Sequence, residues 1–406
     1  VTISKLKIPY RAKYLPYLVS LLLTLLILAI HMAPNMDSML NENNTRISHV
    51  FLKSQIEYHK ELPPFARRPL TSFLIDSTIE LFGVRAGFAF IFVNFCFLFL
   101  SGLLLFKLAL DLKATRRQAL LNMIVYFLSF SILFAFFPPI FSYDEPLQYC
   151  FIFLAIISYF KDKWALFVLF FSLALIARET SILLLPAFFL FAVKGNIDKN
   201  ISFNVSQKWG MLLAPVLIYG IYIGAFILTN EQLEETQLEL GSRFSCFLEN
   251  FESFKNTSES LLSIHFTLSF YLCLIFVPPK RSNTLSENMF VKAFLLTAFI
   301  NTPIVLLTAF ARESRLFTLP LLLIWPVFFQ LFDKDLSYFF SRRFHKELFA
   351  TASKSLGIIV FMAFNFIGCF ILYKNLGLGK NTYFAEYLFL LNTFLFTYVW
   401  SKLRRG

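Results

Sequence analysis

The chain has 406 residues, of which 57% are hydrophobic and only 15% charged, and its mean hydropathy is +0.66. A soluble domain of that size does not show such a balance, so the composition is that of a polytopic membrane protein. The net charge of +12 follows from loop topology, because Lys and Arg collect in cytoplasmic loops, and it is not a nucleic-acid signal.

Twelve apolar segments can be laid out against a hydrocarbon core of about 30 Å. They run over 14–32, 84–110, 119–137, 146–160, 164–177, 180–193, 209–228, 261–277, 291–310, 316–332, 355–373 and 382–400. The first follows Lys5, Lys7, Arg11 and Lys13, but no small-x-small cleavage site follows it, so it is expected to stay as the first span. With both termini cytoplasmic, the basic groups 107–117, 161–163, 334–354 and 402–405 all fall inside. Of the five cysteines, Cys96, Cys150, Cys273 and Cys369 lie in apolar segments and only Cys246 outside them. Neither a disulfide framework nor a zinc pattern is expected.

Residues 33–83 form an exoplasmic stretch longer than a connector needs, the kind of loop that carries function. Ile47, Val50, Phe51, Ser54 and Tyr58, and then Leu70, Phe73, Leu74, Ser77 and Leu81, recur at helical spacing, which predicts two amphipathic helices at the outer interface. His49 and His59 lie in this loop at a spacing that suits no metal, and read as interface residues. Further exoplasmic stretches cover 138–145, with Asp144 and Glu145 at a helix start before Pro146, and 229–260, which is rich in Glu.

Two Arg-Glu pairs, Arg178-Glu179 and Arg312-Glu313, stand where the chain should be crossing lipid. Ionisable groups at that depth are costly and face a polar cavity or each other. Residues 164–177 span only about 21 Å at 1.5 Å per residue, which puts Arg178-Glu179-Thr180 at the tip of a hairpin entered from the cytoplasmic side. One reading is structural, with Arg178 paired to Glu179 or across to Glu313. The other is chemical, because a guanidinium facing an outward cavity suits paired hydrogen bonds to phosphate.

Taken in order, Asp37, the segment 47–58, Ala66-Arg67-Arg68-Pro69-Leu70, Leu81-Phe82-Gly83, Tyr143-Asp144-Glu145-Pro146 and Leu175-Ile176-Ala177-Arg178-Glu179-Thr180 resemble membrane glycosyltransferases of the GT-C superfamily. Within it, the similarity is to the group of lipid A aminoarabinose transferases and protein O-mannosyltransferases. The resemblance covers the first part of the chain. It implies an all-α integral membrane fold of about twelve transmembrane helices, with a catalytic module over 1–193 and a carboxy-terminal module over 194–406.

It further implies transfer of a sugar, with inversion, from a polyprenyl-phosphate donor to a glycan, lipid or protein acceptor at the periplasmic face of a bacterial inner membrane. On that reading Asp37, Asp144 and Glu145 are the catalytic carboxylates. Arg178, Glu179, Arg68, Arg312 and Arg315 would hold or orient the donor phosphate. A divalent cation, Mg or Mn, is the cofactor the carboxylates could take through oxygen ligands. The rival readings are a transporter or flippase of lipid-linked substrates, an O-antigen-type polymerase or ligase, and a non-catalytic subunit of GT-C type.

Overall fold

The computed structural model describes residues 13–31, 49–136, 142–194, 205–230, 243–277, 285–373 and 382–403. Among them the chain is helical throughout, without a strand. In chain order the main helices are α1 (Leu15–His31), α2 (His49–Glu61), α3 (Pro69–Phe82), α4 (Ala86–Asp111), α5 (Arg116–Leu128), α6 (Glu145–Phe160) and α7 (Trp164–Ala177). They are followed by α8 (Leu185–Lys194), α9 (Val205–Thr229), α10 (Phe254–Phe276), α11 (Leu285–Thr308), α12 (Phe328–Phe339), α13 (Ala352–Phe366) and α14 (Thr382–Leu403).

Five helices are long and apolar enough to cross a membrane, over 86–111, 208–229, 254–276, 288–308 and 352–371. The chain is therefore an all-α protein with the character of a membrane protein. Four more of the expected segments form shorter apolar helices, over 15–30, 145–160, 164–177 and 179–193. The twelfth segment forms the 22-residue α14. The remaining two, 119–137 and 316–332, are not continuous helices. The first breaks at Ser129, which is in extended conformation between α5 and the short turn Phe130–Leu133. The second is a chain of short pieces, Ser314–Phe317, Leu321–Ile324 and Trp325–Val327, leading into α12.

Both helices expected in the first loop are present as α2 and α3. Pro69 starts α3, where its missing N–H costs nothing, and Gly83 ends it with φ of 61° in the left-handed region. Lys60 of α2 bonds Asp76 of α3 at 2.6 Å, tying the two together. Beneath them α6 packs on both α4 and α7, and α7 on α9. Gly102 lets α4 approach its neighbours closely, since a Cβ there would lie 2.5 Å from the Phe127 ring. One contiguous apolar core takes residues from both of the expected modules, from Ile27 to Tyr398.

Irregular backbone inside an apolar protein is tolerable only when its polar groups find partners. At the second break Pro326 cannot donate, and Asn122 of α5 fills the gap. Its Nδ2 donates to Pro326 O at 2.7 Å and its Oδ1 accepts from Phe329 N at 2.8 Å. The loop 309–318 is held in the same manner. Asn250 donates to Leu306 O and Ala309 O and accepts from Ala311 N, while Ser263 donates to Arg312 O, Thr267 and Ser131 to Ser314 O, and Asn301 to Leu316 O.

Replacing Asn122 by Leu, close to it in size, leaves a buried C=O and a buried N–H without these partners. The expected loss is roughly 2–4 kcal/mol of unfolding free energy, measured by denaturant titration in mixed micelles. Ser54→Ala, at an exposed position, should leave stability within about 0.5 kcal/mol of wild type.

Candidate functional site

Three guanidiniums from three distant stretches of chain meet below α2 and α3. Arg68 occupies the cap position of α3, and its side chain turns to Glu179. Nε donates to Oε2 at 2.6 Å and Nη2 pairs with Oε1, a two-point contact of the kind a planar guanidinium favours. Arg178 follows the end of α7 with φ −161° and ψ 118°, an extended conformation, and its amide donates to Ala174 O at 2.9 Å. Its side chain pairs with Glu145, the first residue of α6, and both groups are buried. Arg315 lies in the turn Ser314–Phe317. Its Nη1 is 3.2 Å from the same Glu145 oxygen, while Nε and Nη2 donate to Glu313 at 3.0 and 2.7 Å.

These partners correct the pairings that adjacency suggested. Arg178 is paired with neither Glu179 nor Glu313; its partner is Glu145, and Glu179 belongs to Arg68. Because the backbone is extended at Arg178, the side chains of Arg178 and Glu179 leave in opposite directions. Arg312 does not join the cluster either. It is exposed, with its guanidinium 5.1 Å from the Phe310 ring centre, and the short turn that follows carries Arg315 inward in its place.

Asp144 is buried, and although it stands at the cap position of α6 its side chain makes no capping hydrogen bond. Its Oδ1 and the neighbouring Thr71 Oγ1 are both buried without a hydrogen-bond partner of ordinary geometry. Burial pushes the Asp144 carboxyl up to about 6, against the opposing pull of the Arg68, Arg178 and Arg315 guanidiniums. Glu145 differs, since one oxygen faces two arginines and the other accepts from the Tyr143 N–H at 2.9 Å. It is a counter-ion here and is not free to act as a base. Asp37 lies outside the described residues.

The structure corrects the reading of His59 as an interface residue, since it is buried, and adds neighbours for which no role was legible in the sequence. His59 stacks flat on Tyr143, with ring centres 3.7 Å apart and planes at 10°. Its Nδ1 donates to Gln55 O at 2.8 Å, so the lone pair sits on Nε2. Burial, reinforced by the nearby arginines, lowers its pKa to about 3 and keeps the ring neutral. Tyr143 in turn bonds Ser72 at 2.9 Å. Gln148, one turn along α6 from Asp144, donates to Ser181 at 2.8 Å. The adjacency of Tyr143 to Asp144 was the one available signal; nothing in the spacing of His59 places it here.

Beside the ion cluster is a cavity of about 20 Å³, bordered by Glu145, Gln148, Arg178, Thr180 and Arg315 together with Tyr149 and aliphatic side chains. That is room for a water molecule or two. Among the described residues, no group of three or more His, Cys, Asp or Glu could hold a metal ion. Compared with family models, with curated proteins and with solved structures, the chain finds no match.

Removing one member of a buried ion pair leaves the other charge uncompensated, at a cost of about 3–5 kcal/mol. Arg178→Gln should therefore destabilise the protein on that scale. The double substitution Arg178→Gln with Glu145→Gln should cost clearly less than the two singles summed. A double-mutant cycle on unfolding in detergent reads the difference.

Proposed function

We propose that the chain is a membrane glycosyltransferase of GT-C type that moves a sugar from a polyprenyl-phosphate carrier to an acceptor at the outer face of a bacterial inner membrane, with both termini cytoplasmic. The observation that carries the reading is that Arg178 and Arg315 share Glu145 at the border of one cavity, with Arg68 and a buried carboxyl, Asp144, in the same charge cluster. Leaving phosphate gains negative charge as its bond to the sugar breaks, and positioned guanidiniums stabilise that charge most in a water-poor site. Glycosyl transfer also needs a group to take the acceptor's proton.

The step balances as a single displacement. An acceptor hydroxyl oxygen attacks the anomeric carbon from the face opposite the phosphate and its proton passes to Asp144. The bond between carbon and phosphate oxygen breaks with its electron pair going to the lipid phosphate, so the configuration at the anomeric carbon inverts. Asp37 is the carboxylate that the family resemblance offers for the same task, and it is tested alongside. The acceptor is a glycan, a lipid or a protein, and membrane lipid surrounds the site.

The test is transfer by the purified protein from a panel of radiolabelled polyprenyl-phosphate sugars, with and without Mg²⁺ or Mn²⁺. Asp144→Asn should lower turnover by about 10²- to 10⁴-fold, the usual range for losing a positioned base. A base works ionised, and its carboxyl sits at about 6. Wild-type turnover should accordingly rise as pH increases through about 6 and level off above it, and the residual turnover of Asp144→Asn should lack that limb. If Asp144→Asn transfers at the wild-type rate while Asp37→Asn does not, the base is Asp37. Passage of intact lipid-linked sugar across vesicles, without bond cleavage, would replace the transferase reading with that of a transporter.

A further inference from the structure

Resting on the phosphate reading of this site, we propose that Glu145 holds the place of the ligand's phosphate. In the structure its carboxylate engages Arg178 and Arg315, and a phosphate ester entering the site takes over both guanidiniums as Glu145 withdraws.

Charge is the first argument. Arg68, Arg178 and Arg315 are balanced by Glu145, Glu179 and Glu313, with Asp144 beside them. Adding a phosphate to that set, with nothing leaving, would bury negative charge without compensation, which low-polarity surroundings penalise heavily. One carboxylate has to give way.

Geometry selects which one. Glu179 is gripped at both oxygens by a single guanidinium, the arrangement hardest to undo. Glu313 lies towards the surface, 24% exposed, and contacts Arg315 through one oxygen without reaching Arg178. Glu145 bridges two arginines from different segments that both border the cavity, so its departure frees two phosphate-binding groups together.

Space agrees with charge. The cavity of about 20 Å³ is bordered by Glu145 and both of its arginines, and it is too small for a phosphate group until the carboxylate moves. The move is local. Apart from the two arginines, Glu145 is held by the Tyr143 N–H, two residues back in the chain. Pro146 at the start of α6 gives up no intrahelical bond when that contact opens.

The experiment is binding of farnesyl phosphate to the purified full chain in detergent, for wild type, Glu145→Gln, Glu145→Asp and Arg178→Gln, with farnesol and inorganic phosphate as comparison ligands. Glu145→Gln should bind farnesyl phosphate about tenfold tighter than wild type or better, and Arg178→Gln should abolish binding. Should Glu145→Gln prove too unstable to purify, Glu145→Asp keeps the charge but shortens its reach, and a several-fold gain is expected from it. Binding that needs Arg178 but is not tightened in the Glu145 variants overturns the role given to Glu145 and leaves the phosphate reading standing. Farnesyl phosphate binding no better than farnesol, and indifferent to Arg178→Gln, overturns the phosphate reading as well. Inorganic phosphate binding as tightly as farnesyl phosphate, with the same dependence on Arg178 and Glu145, supports the role of Glu145 and overturns the lipid as the source of the phosphate.

Discussion

Peptide groups that leave a helix inside an apolar interior must find other partners, and the architecture of this protein is arranged around that demand. Two stretches that composition alone would make continuous helices are broken, 119–137 at Ser129 and 316–332 into short pieces; Asn122 closes the second at Pro326, and Asn250, Ser263, Thr267, Ser131 and Asn301 hold the adjoining loop 309–318. A third irregularity, the turn after Arg178, is held by Ser181 donating to Ala174 O and by Gln148 donating to Ser181. These substitutions of side chain for backbone let Arg178 and Arg315 leave their segments at the same depth and meet over Glu145. Without them the arginines would be carried around a helix axis by its regular pitch.

Buried arginines of this kind do not by themselves say whether they serve structure or a ligand. A guanidinium sealed by one carboxylate over both oxygens, as Arg68 is by Glu179, has the character of a tie between the first loop and the hairpin. Arg178 and Arg315 share a single carboxylate oxygen and border a cavity. The cluster thus has a fixed side and a side that can exchange partners. Asp144 stands in the charge field of all three arginines, buried beside Thr71.

Much of this was legible in the order of residues, and the losses have identifiable causes. Helices α2 and α3 were visible because amphipathic spacing and the Pro69 and Gly83 boundary residues agree with one another. Helix α7 was visible because Lys163 and Arg178 bracket an unbroken apolar run. The breaks at Ser129 and Pro326 were hidden, since the surrounding residues are as apolar as those of an intact span and Asn122, which compensates at Pro326, lies far off in sequence. Adjacent Arg-Glu pairs suggested partners by neighbourhood, whereas the extended backbone at Arg178 sends the two side chains apart and Glu145 is supplied by a different helix. Nothing in the sequence separates Arg315 from Arg312, because only the short turn 314–317 carries one inward and leaves the other exposed. His59 was set aside for lack of a metal spacing, and its stack on Tyr143 is a tertiary contact that no local pattern encodes.

The spacing of these groups along the polypeptide bears on how the protein is made. Glu145 and Arg178 emerge from the ribosome close together, so each has its counter-charge early. Arg315 arrives much later, after four further helices have been synthesised, and joins a carboxylate that is already engaged. Arg178 therefore does not wait for the end of the chain to find a carboxylate, whereas Arg68 waits for Glu179.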